Sequence, residues 1–169
     1  MKILALDLST KSSGWSVFND GELIEYGCFT SSSTDLIKRI QIMTNGIKGI
    51  MEKYPDINKV IAEEVRPEGT GYGVGNLQTH RALMWLQAAI AFMLHDDYKK
   101  TEMEYIYPSS WRASIGIKTG RGIKRTTLKQ KDIEFVKEKW GYDVNDDEAD
   151  AICIGFACSN KVETEINWD

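Results

Sequence analysis

The chain has 169 residues, of which 42% are apolar and 27% are charged, and we expect one domain over residues 1–169. Its formal net charge of −4 argues against a simple non-specific nucleic-acid binder, because such proteins are usually basic. No apolar run reaches the length of about 18 residues that a membrane span needs. Asp7 interrupts the first apolar run too early for a secretory signal, so we expect a cytoplasmic protein that does not bind membranes.

The first third of the chain predicts three antiparallel strands followed by a helix. "KILALDLS" is rich in Ile and Leu, as a buried strand is, and the next two strands flank a hairpin turn at Asn19-Asp20-Gly21. "SSST" predicts the helix cap. From Leu36 to Tyr54 apolar residues recur with helical spacing, and Pro55 ends that helix.

The remaining elements alternate between strands and helices. "INKVIAEEV" predicts a central strand, because three apolar residues follow one another without a break. After it come a glycine-rich loop, "RPEGTGYGVGN", a long apolar helix, "LQTHRALMWLQAAIAFML", a strand, "EMEYIYP", a short helix with serine caps, "PSSWRASIGI", a basic loop, "KTGRGIKRTT", and two helices, "LKQKDIEFVKEKW" and "DDEADAICIGFACSN". This order predicts an α/β fold with a mixed five-stranded sheet, three antiparallel strands then parallel additions, flanked by helices.

Carboxylates stand at the ends of two strands that we expect to be neighbours. Asp7 ends the first strand, and Glu63 and Glu64 end the fourth; because side chains alternate along a strand, only one of these glutamates can share a face with Asp7. Two acids of the last helix are three residues apart and project from one side of it. The side chains expected to meet at one point are Asp7, one of the two glutamates, Asp147 and Asp150.

Such a cluster predicts a metal site. Three or four ionised carboxylates repel one another and are costly to desolvate, and a divalent cation would offset both effects. Oxygen ligands suit Mg²⁺ or Mn²⁺ rather than zinc. Single acids also have structural interpretations. Asp7 could be a turn residue, and Asp147 could be a negative charge that the helix dipole favours near the N-terminus of the last helix. Asp150 is the hardest to explain structurally, because it lies within an apolar, burying pattern.

A basic segment accompanies the carboxylates. From Arg112 to Lys131 the sequence contains no Asp or Glu, which predicts phosphate contacts and an affinity that falls with salt. A solvated charged face is the alternative. A basic face beside a carboxylate cluster is typical of two-metal phosphodiester cleavage. The candidate nucleic-acid contacts are Lys11, Arg66, Tyr72, Arg112, Lys118, Arg121, Lys124, Arg125, Lys129 and Lys131.

The long helix over 77–94 has too little polar surface for an exposed helix. It is therefore either fully buried or pairs on one side with a second subunit. Candidates for a twofold interface are Met84, Trp85 and Ala88.

Four segments together resemble the RuvC family of Holliday-junction resolvases, within the RNase H-like superfamily, and phage-encoded members above all. They are, in order, "ILALDLSTKSSGW", "VIAEEV", "PSSWR" and "DDEADAICIG", within a span from Lys2 to about Cys158. The resemblance implies a homodimer that binds four-way DNA junctions and nicks two strands symmetrically with Mg²⁺ or Mn²⁺, two ions per site. It implies that the catalytic and metal-binding residues are Asp7, Glu63, Asp147 and Asp150.

The chain departs from cellular members of this family at one position. They carry an aromatic wedge three residues past the catalytic Glu, where this chain has Arg66; Tyr72 is a candidate substitute, and we expect broader acceptance of branched DNA. Three other functions remain open. They are an RNase H-like nuclease for RNA or RNA–DNA hybrid, a catalytically silent nucleic-acid-binding module, and an actin-like phosphotransferase, because "LALDLSTKSSG" resembles a phosphate-binding loop.

Overall fold

The computed structural model describes residues 1–64, 74–120 and 122–159, and it describes 74–76 by their backbone only. The strands are β1 (Lys2–Asp7), β2 (Ser12–Asn19), β3 (Glu22–Thr30), β4 (Ile57–Glu63) and β5 (Glu102–Ile106). The helices are α1 (Leu36–Lys53), α2 (Val74–Asp97), α3 (Pro108–Ser114), α4 (Arg125–Trp140) and α5 (Asp146–Ser159). No helix in the described part of the chain is long and apolar enough to cross a bilayer.

The strands form one mixed sheet in the order β3-β2-β1-β4-β5, which confirms the predicted fold class. β1, β2 and β3 pair antiparallel, and β4 and β5 are added in parallel. The predicted hairpin is present, with Asp20 and Gly21 at φ values of 48° and 86°. These positive values are those of a type I′ turn, which matches the twist of the two strands.

Helices cover both faces of the sheet. α1 and α2 pack on one face, over Leu4, Leu6 and the strand residues beside them. α3, α4 and α5 pack on the other face, over Ile3 and Ala5. Because the side chains of β1 alternate between these two layers, Asp7 falls on the face of α5.

α5 lies unusually close to the sheet. A Cβ atom on Gly14 of β2 would lie 1.9 Å from the carbonyl oxygen of Asp147, and one on Gly155 would lie 2.5 Å from the Phe18 ring. Only glycine permits such an approach. Asn145 and Glu148 accept hydrogen bonds from each other's backbone N–H groups, at 2.9 and 3.0 Å, and this capping box fixes the start of α5.

Two helix starts differ from the sequence predictions. α1 is capped by Asp35, whose Oδ1 accepts from the backbone N–H of Ile37 at 2.8 Å, rather than by the serines before it. α3 has no side-chain cap. Pro108 is its first residue, and because proline has no N–H group, that position needs no capping partner.

Candidate active site

The ends of β1 and β4 bring the first two predicted acids together. The two strands are parallel neighbours, and Leu6 pairs with Ala62 one residue before Asp7 and Glu63. Both carboxylates therefore lie on the α5 face at the same edge of the sheet. Glu64 extends the pairing instead, since its backbone N–H donates to the carbonyl of Ile106 at 2.9 Å.

Asp7 is at the centre of the acidic cluster. Burial, followed by the charges of Glu63 and Asp147, raises the pKa of Asp7 to about 7. Lys129 and Arg125 of α4 act in the opposite direction and lower this pKa. Asp7 therefore lies within electrostatic reach of acids from β4 and α5 and of cations from α4.

Glu63 is held by two neighbours. The indole Nε1 of Trp111 donates to Glu63 Oε2 at 3.1 Å, and the side chain of Gln87 donates to the Glu63 carbonyl at 3.0 Å. Burial raises the pKa of Glu63, and the Trp111 hydrogen bond opposes that rise. The carboxylate thus has one fixed oxygen, Oε2.

Asp147, on the first turn of α5, faces both β2 and α4. The hydroxyl of Ser12 donates a hydrogen bond to Asp147 Oδ2. Lys129 Nζ lies 3.7 Å from Asp147 Oδ1 and also pairs with Asp146. The carboxylate is therefore oriented by a neutral donor on one side and a cation on the other.

Asp150 is the most deeply buried of the four acids, with 4% of its surface exposed. Burial, followed by the charge of Asp7 and then by Asp132, raises the pKa of Asp150 to about 9. Arg112 Nη2 is 3.6 Å from Asp150 Oδ1, and within the described residues that oxygen has no hydrogen-bond partner.

The oxygen atoms of the four acids are ligands of the kind that a hard divalent cation prefers. All four side chains are carboxylates, and one buried oxygen, Asp150 Oδ1, lacks a hydrogen-bond partner among the described residues. Burial and neighbouring acids raise the pKa values of Asp7 and Asp150, as expected where negative charge is not fully compensated. In residues 1–64, 74–120 and 122–159, no three His, Cys, Asp or Glu side chains already form a metal-binding group. The residues fit Mg²⁺ or Mn²⁺, but their side chains have to move closer to enclose an ion.

The predicted nucleic-acid contacts fall into three groups. Arg125 and Lys129 lie near the carboxylates, on the first two turns of α4. Four further lysines are exposed or half-buried and so accessible to DNA: Lys11, Lys118, Lys124 and Lys131. The predicted contacts that lie outside the described residues are Arg66, Tyr72 and Arg121.

Arg112 differs from the prediction. It is only 7% exposed and donates to both oxygens of Asp132, so its guanidinium is not available to a DNA phosphate. The basic run of the sequence gave no sign of this, because the partner lies twenty residues away on α4. We therefore remove Arg112 from the predicted nucleic-acid contacts.

Three side chains at the site were not predicted from the sequence. Ser12 and Trp111 donate to Asp147 and Glu63, and Asp132 binds Arg112. Trp111 stands in the "PSSWR" segment, and Asp132 lies four residues before Val136 on the buried side of α4. An acid on an apolar helix face is the signal that could have identified Asp132.

Solved structures share this fold over nearly the whole chain. RuvC of T. thermophilus in complex with a Holliday junction substrate has a TM-score of 0.70 and 12% identity, covering 93% of this chain and 91% of that one. The Thermus thermophilus RuvC structure has a TM-score of 0.67 and 13% identity, covering 93% and 92%. The yeast mitochondrial Holliday junction resolvase Ydc2 has a TM-score of 0.58 and 13% identity, covering 93% and 77%.

The sequence itself matches no family model, and no curated protein matches it. At 12–13% identity these likenesses show the fold alone. The predicted mixed-sheet fold, which the RuvC structures share, is confirmed.

Proposed function

We propose that this chain is a divalent-metal-dependent endonuclease that resolves four-way DNA junctions by paired symmetric nicks in the cytoplasm. The observation that carries the proposal is the convergence of carboxylates from β1, β4 and α5 at one edge of the sheet. The same fold is found in T. thermophilus RuvC, whose structure contains a Holliday junction substrate. Buried, like-charged acids are costly to keep in a folded protein, which favours a functional origin.

The side chains divide the work of the site between them. Asp7, Glu63, Asp147 and Asp150 would hold two Mg²⁺ or Mn²⁺ ions. The chemistry that such ions would supply is activation of the attacking water and stabilisation of the leaving oxygen. Ser12 and Trp111 orient the carboxylates of Asp147 and Glu63 through their hydrogen bonds.

The cations of α4 complete the site. Arg125 and Lys129 lie within electrostatic reach of Asp7, where they offset the charge of the acids. The scissile phosphate enters the same region, and positive side chains there attract it and limit its repulsion by the carboxylates.

A homodimer is part of this proposal, because paired nicks need two active sites. α2 carries a row of exposed apolar side chains at helical spacing, including Trp85 at 48% and Phe92 at 70% exposure, with Leu77 and Met84 on the same side. A second copy of the chain is the occupant we propose for this face. Trp85→Asp is expected to give a monomer in light scattering and single nicks instead of paired ones.

A cleavage panel tests the function. In Mg²⁺, the protein is expected to nick a synthetic four-way junction at paired positions and to cut linear duplex and RNA–DNA hybrid poorly. Faster cutting of the hybrid would instead support the RNase H-like alternative. Binding of the junction without cutting in either Mg²⁺ or Mn²⁺ would support a silent binding module and end the nuclease proposal.

A further inference from the structure

A buried ion pair lies directly behind the active site. Arg112 of α3 donates from Nε and Nη2 to Asp132 Oδ2, at 3.0 and 2.7 Å, and Asp132 has no exposed surface. The Arg112 guanidinium also lies over the Trp111 ring, 4.0 Å from its centroid. Charge, hydrogen bonds and stacking therefore fix the guanidinium in one orientation.

The same guanidinium faces a second acid, Asp150. Arg112 Nη2 is 2.7 Å from Asp132 but 3.6 Å from Asp150 Oδ1, so the nearer carboxylate takes the hydrogen bonds. Among the described residues, Asp150 Oδ1 is buried and has no hydrogen-bond partner at all. It is the oxygen that the Arg112–Asp132 pair leaves available.

Two carboxylates thus compete for one arginine. A guanidinium forms a strong two-bond pair with a single carboxylate along one edge, and here Asp132 occupies the edge formed by Nε and Nη2. Without the charge of Asp132, Arg112 would be buried and uncompensated, and Asp150 is the acid within reach. A direct Arg112–Asp150 pair would occupy the carboxylate that the proposed metal site needs.

We infer that Asp132 is a positioning residue that holds the Arg112 guanidinium away from Asp150 and so keeps the Asp150 carboxylate open to a divalent cation. The inference deepens the proposed function and rests on it. Asp132 touches neither metal nor DNA in this scheme. Asp132 also repels Asp150 directly, and loss of that repulsion would favour cation binding. Weaker binding in its absence must therefore arise through Arg112, and removal of Arg112 should make Asp132 unnecessary.

Mn²⁺ binding measured by the loss of the free-ion signal in electron paramagnetic resonance tests this directly. Asp132→Asn is expected to weaken Mn²⁺ binding about 10- to 100-fold, the usual effect of losing a residue that orients a metal ligand. Asp143→Asn is the matched control, since Asp143 is an exposed acid paired with Lys137, and it is expected to bind Mn²⁺ as the wild type does. Unchanged binding in D132N overturns the inference.

The double variant R112M/D132L separates positioning from a merely structural role. Buried ion pairs can often be replaced by apolar residues of similar volume without loss of stability. With no guanidinium to compete for Asp150, this variant is expected to bind Mn²⁺ at least as tightly as the wild type. If it binds as weakly as D132N, Asp132 only supports the fold and the inference is wrong. If D132N does not fold, Mn²⁺ binding by R112M/D132L that is weaker than that of the wild type overturns the inference.

The two proposals fail separately. Wild-type protein that binds Mn²⁺ but leaves four-way junctions intact would contradict the proposed function while the comparison of D132N with R112M/D132L still stands. Junction cutting that persists while D132N binds Mn²⁺ normally would contradict the inference alone. Wild-type protein that binds no Mn²⁺ overturns both.

Discussion

The two ends of β1 treat charge in opposite ways. At its start, Lys2 pairs with Asp56 at 2.7 Å, and close by Lys53 pairs with Glu25 at 2.7 Å, each acid with its own lysine at the surface. At its end, Asp7 is buried among other acids. Exposed ion pairs change the free energy of folding little in either direction, whereas buried charges of the same sign destabilise the fold. This difference supports placing the proposed site at the end of β1 rather than at its start.

The largest expected effect is on DNA nicking, in a comparison of one acid near each end of β1. Asp7→Asn is expected to abolish junction nicking in Mg²⁺ while junction binding stays or strengthens, because a negative charge leaves the phosphate site. Asp56→Asn, which alters the surface pair with Lys2, is expected to nick at the wild-type rate. The measurements are gel assays of cleavage and binding. Normal nicking by D7N would remove Asp7 from the site and with it the contrast between the two ends.

Glu63 and Glu64, adjacent at the end of β4, allow the two faces of the sheet to be compared at a single strand end. Glu63→Gln is expected to lower the single-turnover nicking rate about 100-fold, because it removes the negative charge of a proposed metal ligand while keeping an oxygen that can accept from Trp111. Glu64→Gln is expected to change the rate by less than about threefold, because Glu64 lies one residue out of phase with Asp7. Equal losses in the two variants would contradict the assignment of faces.

The pH dependence of stability tests the buried charge itself. The pKa of Asp150 rises from an ordinary 3.8 to about 9 on folding, so the native state binds the proton more tightly, and stability is lost as pH rises from about 4 to 9. Asp150→Asn removes this loss and is expected to raise the free energy of unfolding at pH 8 by several kcal/mol in EDTA, since each unit of pKa shift corresponds to about 1.4 kcal/mol. Urea denaturation at pH 5 and pH 8 measures the change.

Asp56→Asn is the control for this titration. The lysine partner lowers the pKa of Asp56 below 3.8, so its contribution is constant between pH 5 and pH 8. The difference in unfolding free energy between these two pH values is therefore expected to match that of the wild type. A D150N protein that loses stability at pH 8 would show that the Asp150 carboxylate is compensated in the native state.

The smallest expected effect concerns a single exposed lysine. Lys124→Gln, at the start of α4 beside the site, is expected to reduce the slope of log affinity against log salt for a four-way junction by about 1. Lys53→Gln, at the opposite end of the sheet, is expected to leave the slope unchanged. Equal slopes in both variants would place the DNA path away from α4.

The convergence of the acids could be predicted because local rules determine it. Alternation along β4 allowed only one glutamate of the pair to share a face with Asp7, and the family resemblance indicated Glu63. A spacing of three placed Asp147 and Asp150 on one side of α5. The order of strands and helices then made β1 and β4 neighbours. No long-range contact had to be known in advance.

Partners from distant parts of the chain could not be predicted in this way. Arg112 is one cation in an acid-free run, and nothing in that run indicates that it is buried against Asp132. The bond from Ser12 to Asp147 joins residues 135 positions apart and depends on the close approach of α5 over Gly14. Such contacts arise from packing, which the sequence pattern does not encode locally.

The position of α5 along the chain has a consequence during synthesis. Two of the four acids are on this last helix, and the other two are 84 or more residues earlier in the order of translation, at Asp7 and Glu63. A ribosome that has translated only the first 140 residues has made the strands of the sheet but only two of the four acids, Asp7 and Glu63. A nascent chain therefore cannot assemble the proposed site until α5 has been translated.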